Sequence, residues 1–139
     1  MKAVNPYLNF GGNTEEAFNF YKKVFGGEFT MVMRMKDVQG IPFPKGQEEK
    51  IMHIALPLSS GQVLMASDNC NASTFKQGNN FYISLHSDSV EEGHSLYEAL
   101  SAGGKADHPF KKEFWGDWHG NLTDKFGVNW MINYTENHQ

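Results

Sequence analysis

Apolar and polar positions along this chain change period in a fixed order, and the order occurs twice. Val4 to Phe10 reads as a strand, Gly11-Gly12-Asn13 as a break, and Ala17, Phe18, Tyr21, Val24 and Phe25 then recur at helical spacing until Gly26-Gly27. Thr14 is expected to cap that helix, with Glu15 and Glu16 in its first turn, where negative charge favours the helix dipole. Glu28 to Met35 alternates through Phe29, Met31, Met33 and Met35, the mark of a half-buried strand. Lys36 to Glu49 holds Gly40, Pro42, Pro44 and Gly46 and reads as a long loop. Lys50–Leu58 and Gln62–Ser67 are strands joined by a turn at Ser59-Ser60-Gly61. After a polar, Asn-rich stretch the order returns. A strand is expected over about 80–86, then a helix opening near Ser89 with Val90, Leu96, Tyr97 and Leu100 inward and a stop at Gly103-Gly104. An ill-defined strand follows within Lys105–Phe114, then Trp118–Asp124, a turn at Lys125-Phe126-Gly127, and Val128–Tyr134.

The residues repeat as well as the pattern. YLNFGGN from Tyr7 lies over YISLHSDS from Tyr82, TEEAFNFYKKVFGG over VEEGHSLYEALSAGG, and HIALPLSSGQVLMASD from His53 over HGNLTDKFGVNWMINY from His119. The last alignment pairs His53 with His119 and Met65 with Met131, and the first pairs Tyr7 with Tyr82. A repeat this long, present twice, points to a duplicated module rather than a solenoid array. The expectation is an α+β fold, a single domain over 1–139. It comprises two βαβββ modules (about 1–68 and 80–139) joined by a linker over about 69–79 and related by a pseudo-twofold axis. Such a pair would form a cleft, a usual place for a ligand.

Composition narrows the partners. The net charge is −4, and the longest Lys/Arg runs are the pairs Lys22-Lys23 and Lys111-Lys112, so nucleic acid is not expected. No apolar run is long enough to span a bilayer and no secretory leader is visible, so a cytoplasmic protein is expected. The one cysteine, Cys70, lies in the polar segment SDNCNAS and reads as a linker residue.

Several residues could carry chemistry. His53 and His119, equivalent in the repeat, could act as general acid and base or grip an anion, or could each be a strand histidine bonded to a neighbour. His86, His94 and His138 read as a strand end, a helix surface and the tail. Phe114, Trp115 and Trp118 could wall an apolar pocket or form core or dimer contacts. Met31, Met33 and Met35 would share one strand face, suited either to an irregular apolar ligand or to filling a core. Gly11-Gly12 and Gly26-Gly27 are not phosphate loops, and no nucleophile elbow is present.

The phrases PYLNFGGNTEEAFNFYKKVFGGE, HIAL, VLMASD, FWGDWHG and TDKFGVNWMINY cover most of the chain. On them the chain resembles the vicinal oxygen chelate superfamily, which includes glyoxalase I, bleomycin-resistance proteins and extradiol dioxygenases, and within it the PhnB-like branch. The resemblance implies four metal ligands, His or Glu, one on the first and one on the last strand of each module. At those positions this chain has Met65 and Met131, with Tyr7 and Tyr82 from the repeat register, or Asn5 and Asn80 if the register shifts by two. Neither set suits a divalent metal, so no metal and no cofactor are expected. The symmetric replacement suggests a coherent apolar cavity.

Members of this branch are sometimes described as demethylubiquinone methyltransferases. Here that activity is discounted, because the chain has no Gly-rich turn after a first strand followed by an acidic residue, and is too short for a cofactor domain plus substrate site. The leading expectation is a small-molecule binding protein. It would hold a partly apolar ligand, of undetermined identity, on Tyr7, Met65, Tyr82, Trp115, Trp118 and Met131, between modules or at a dimer interface. The resemblance also implies a homodimer, in some relatives with modules exchanged. Two rivals stay open: a metal-independent isomerase or lyase using His53 and His119, and a metalloenzyme with non-standard ligands such as His53, His119 and Glu113.

Overall fold

A computed structural model describes residues 1–136; His138 lies outside the described residues. The chain divides into two compact units, Met1–Gln77 and Gly78 onward, each holding one four-stranded sheet and one helix. This is the α+β architecture of two similar βαβββ modules that the periodicity predicts. No helix among the described residues is long and apolar enough to cross a membrane.

In the first unit the elements are β1 (Tyr7–Phe10), α1 (Thr14–Phe25), β2 (Met31–Arg34), a 3-10 turn (Met35–Asp37), β3 (Ile51–Pro57) and β4 (Val63–Asp68). The sheet order is β1-β4-β3-β2, with β1 parallel to β4 and the other pairs antiparallel. Helix α1 presents Ala17, Phe18 and Tyr21 to β3 and β4. Phe10, Ile54, Leu56, Leu64 and Ala66 come up to meet them, all within a few per cent of full burial. Each large side chain so buried stabilises the unit by about 1.5–3 kcal/mol before ordering costs are counted.

Two expectations need correction here. Thr14 is the first helical residue rather than the cap, and Asn13 at the cap position makes no side-chain capping bond. The acceptor comes from the far end of the unit: Asp68 Oδ1 accepts from Thr14 N at 3.0 Å, and Asp68 Oδ2 accepts from Ile51 N at 2.8 Å. Asp68 is therefore a buried strand residue that ties helix start to sheet. The alternation through Met31 and Met33 also ends early. A bulge after Met33 turns the chain into the 3-10 segment, so Met35 is buried there and does not continue the strand face.

The second unit comprises β5 (Ile83–His86), α2 (Val90–Ser101), β6 (Lys105–Lys112), β7 (Trp118–Thr123) and β8 (Asn129–Tyr134), in sheet order β5-β8-β7-β6. Again only the first pair, β5 with β8, is parallel. Here the cap is local: Ser89 Oγ accepts from Glu92 N at 3.0 Å. Close packing replaces bulk between helix and sheet. Phe110 fills space left by Gly93 and Gly120. A Cβ at Gly93 would lie 2.4 Å from the Phe110 ring, and one at Gly120 would lie 2.7 Å from Phe110 Cα. Trp130, fully buried, donates from Nε1 to Asp124 Oδ2 at 2.9 Å.

Candidate functional site

In each unit one sheet face carries the helix and the other is open to side chains of mixed chemistry. In the first unit, register puts Tyr7, Met65, Ala55 and Met31 on one rung of the open face, and alternation adds Asn9, Ser67, His53 and Met33. Tyr7 is half exposed although it belongs to a strand. Its ring stacks on His53 with centroids 5.7 Å apart, and its hydroxyl lies 3.2 Å from His53 Nδ1. Asn9 Nδ2 donates to Ser67 Oγ at 3.0 Å. The face thus has a thioether side, at Met31, Met33 and Met65, and a polar aromatic corner at Tyr7–His53.

The second unit departs from the repeat register. Met131 pairs with Ser84 and Ile83 with Trp130, whereas Tyr7 pairs with Met65. Ser84, not Tyr82, is therefore the structural counterpart of Tyr7, and the alignment of the two first strands is two residues off. Tyr82 precedes β5 and is exposed. The slip arises because a four-residue strand gives a sequence alignment little apolar pattern to hold, while cross-strand pairing fixes each residue's face.

The open face of the second unit is built of imidazoles and amides. One rung is Ser84, Met131, Asn121 and His108; the next is His86, Asn133, His119 and Lys111. His108 and His119 stand with ring centroids 5.8 Å apart. His108 Nε2 is 2.5 Å from Glu113 Oε1, and His119 Nδ1 is 2.9 Å from Asn133 Oδ1. The hydrogen bond from His108 holds the Glu113 carboxyl below its ordinary range. As an ionised carboxylate, Glu113 can only accept, so His108 Nε2 carries the proton. Asn133 Nδ2 donates to the Leu85 carbonyl at 3.1 Å and to Ser84 Oγ at 3.0 Å. That fixes its oxygen towards His119, whose Nδ1 must then be the donor. In their neutral forms, His108 Nδ1 and His119 Nε2 keep their lone pairs.

The aromatic segment before β7 divides. Trp118 packs at 5.5 Å against Phe110 and at 5.7 Å against His94 of α2, on the helix side of the sheet. Trp115 and Phe114 form an edge-to-face pair at 4.9 Å in the β6–β7 connection, both exposed. Trp115 and Trp118 therefore do not join in one wall within this unit. The residues that sequence reasoning passed over are His108, Ser84 and Asn133. The bulges of β6 broke the alternation that would have placed His108 on a face.

At the positions where the resemblance implies a metal, the side chains are Tyr7 and Met65 in the first unit and Ser84 and Met131 in the second. Phenol, thioether and hydroxyl are neutral donors with weak affinity for hard or borderline divalent ions. Among the described residues, no group of three or more His, Cys, Asp or Glu is placed to hold a metal ion.

Architecture defines the class: paired βαβββ modules of the glyoxalase type, an arrangement shared at low identity with glyoxalase-related structures. Residues 2–133 match the model of the 3-demethylubiquinone-9 3-methyltransferase family, and the chain belongs to that family. It is similar to protein PA1353 of Pseudomonas aeruginosa, with 37% identity, TM-score 0.86, and 99% of this chain and 100% of that one covered. It is also similar to the protein YjdN of Escherichia coli K12, at 29% identity over 94% of this chain and 93% of that one. A PhnB protein of Bacillus cereus described as a putative 3-demethylubiquinone-9 3-methyltransferase shares the fold at TM-score 0.79 and 24% identity, covering 96% of this chain and 100% of that one.

Proposed function

We propose that this protein is a metal-independent, small-molecule binding member of the PhnB-like branch that holds a partly apolar ligand against the open face of its first sheet. The observation that carries this reading is the Tyr7–Met65–Ala55–Met31 rung with His53 stacked on Tyr7. Met31, at 45% exposed, and Tyr7, at 49%, leave apolar surface uncovered on the two edge strands of this face, where a ligand would gain from covering it. Thioethers adapt to irregular apolar shapes, and the Tyr7–His53 corner offers a hydroxyl and an imidazole to a polar end. The replaced ligand positions support function without a metal. Methyl transfer is disfavoured for a related reason: each sheet has one parallel strand pair beside antiparallel ones, not the open parallel sheet whose switch point takes a nucleotide-type cofactor.

The test uses protein labelled with 13C at the methionine methyls, titrated with a panel of small aromatic and aliphatic metabolites. Saturable shifts of Met31, Met33 and Met65 are expected for at least one compound class, and flat titrations across the panel would reject the reading. Elemental analysis of the same protein is expected to show well under one ion per chain. One ion per chain with clear thermal stabilisation would reject metal independence. In line with the resemblance, we also read the protein as a homodimer, which sedimentation would check.

A second reading, acid–base chemistry, is favoured by one observation. The second unit holds two adjacent imidazoles whose tautomers are set by Glu113 and Asn133, each leaving a lone pair for proton transfer. Long-range 1H–15N spectra should show His108 protonated at Nε2 and His119 at Nδ1. Random tautomer mixtures would remove the reading.

A further inference from the structure

A cavity of about 420 Å³ lies wholly within the first unit, beside the loop that joins the 3-10 turn to β3. Its volume falls in the range of small-molecule sites, roughly 300–1,000 Å³. One wall is the run Ile41-Pro42-Phe43-Pro44; others are Met35 and Met52. We propose that this cavity is a binding site for an uncharged, mainly aromatic or apolar small molecule with one neutral polar end. This site stands apart from the sheet-face reading, which it meets only at Asn9.

Charge decides the class of ligand. The one ionisable carboxylate in the lining, Asp68, has both oxygens engaged by the backbone N–H groups of Thr14 and Ile51. It is therefore committed to holding the unit together, and a cationic ligand would find no open counter-charge in the wall. No lysine or arginine lines the cavity, so an anion has no partner there either. The remaining polar groups are neutral. Asn9 uses its amide nitrogen on Ser67, and Asn71 its side-chain oxygen on Ser73. Among the described hydrogen bonds, the Asn9 carbonyl and the Asn71 amide nitrogen remain available, one acceptor and one donor. Cys70 completes the wall, and burial, followed by the negative charge of Asp68, pushes its thiol up. It is thus a mainly uncharged wall group at neutral pH, slow but still able to react with an alkylating reagent.

The wall is also held in place before any ligand arrives. Arg34 donates from Nη1 and Nη2 to the two carboxylate oxygens of Glu15 at 3.0 and 2.6 Å, and from Nη1 to the Glu49 carbonyl at 2.8 Å. Met35 N donates to Lys50 O, and Lys36 N to Glu48 O, so both ends of the loop are tied together. Between those ties, two prolines restrict the backbone of the apolar run. A preorganised wall lowers the ordering cost of binding.

The test uses N-phenyl-1-naphthylamine, an uncharged aromatic probe that brightens in apolar sites. Its anionic counterpart 1-anilinonaphthalene-8-sulfonate is the comparison. The expected result is a saturable component of about one probe per chain, at least tenfold weaker for the sulfonate. Phe43→Ala and Ile41→Ser should weaken that component at least tenfold, while Met65→Gln, on the sheet face, should leave it within twofold. Both loop variants change residues outside helix and strand, and an unchanged melting curve would confirm that they fold. Alkylation of Cys70 by iodoacetamide should slow at least fivefold when the probe is saturating. Absence of a saturable component overturns the proposal. So does a component that Met65→Gln removes and Phe43→Ala does not; that second outcome would leave the sheet-face reading standing. Unprotected Cys70 also overturns it.

Discussion

The two units share strand order, helix position and sheet pairing, yet they hold the start of the helix by different means. In the first unit the ties are long-range. Asp68 at the end of β4 accepts from the first residue of α1 and the first residue of β3, and Arg34 on β2 reaches Glu15 in the first helical turn. In the second unit the helix start is held locally and the helix body largely by packing, with one further tie, the Tyr97 hydroxyl of α2 donating to the carbonyls of His108 and Asn121. Ser89 caps its own helix, and Phe110 lies in the gap left by Gly93 and Gly120. The open faces diverge similarly, thioether and phenol in one, imidazole and amide in the other. Duplication preserved what topology requires and left each copy free in the residues that satisfy helix ends and fill space.

The comparison can be broken hardest at the core. Leu64 and Trp130 occupy equivalent positions on the last strands and both are fully buried. Trp130→Ala should lower stability by about 3–5 kcal/mol and Leu64→Ala by about 2–5 kcal/mol, measured by urea denaturation. Trp130 also donates to Asp124, so its loss should lie at the upper end of its range. If Trp130→Ala proved the milder of the two, packing in the second unit would be looser than its glycine contacts imply.

A smaller effect tests the helix ties directly. Asp68→Asn keeps the shape but turns an amide NH2 towards one of two buried backbone donors, and should cost about 1–3 kcal/mol. Ser89→Ala removes a cap exposed to water, with an expected cost of about 1 kcal/mol. The order of these two losses is the prediction. Equal losses would mean that the long-range and local caps are energetically interchangeable.

This contrast also explains what could be read in advance. Both helices, the duplicated β-α-β-β-β order and the family resemblance are written in local periodicity and short phrases, and Ser89 before an acidic turn marked α2 correctly. The role of Asp68 could not be read that way, because its partners lie 54 and 17 residues away in sequence. Thr14 was assigned the cap by residue type, while the acceptor came through space. Ser84 was missed for a related reason: with so short a strand, register is set by pairing with β8, which an alignment of the two copies does not contain. His108 lay in the bulged strand whose alternation was already unclear, so its pairing with Glu113 appears only in three dimensions.

The smallest expected effect concerns acid. The hydrogen bonds from Arg34 hold the Glu15 carboxyl below its ordinary value, which for a free glutamate is about 4.3. A depressed folded-state pKa means the contribution is fully present above the unfolded value and disappears as pH falls through the folded one. Its size is limited because the Glu15 side chain is half exposed and the Arg34 side chain about a quarter exposed, so solvent screening keeps the pair below about 1 kcal/mol. Stability measured between pH 6 and pH 3 should fall slightly more steeply for the parent protein than for Arg34→Gln, and the difference should shrink in high salt. Parallel curves for the two proteins would show that Glu15–Arg34 orders the loop without stabilising the unit, and the long-range ties would then rest on Asp68 alone.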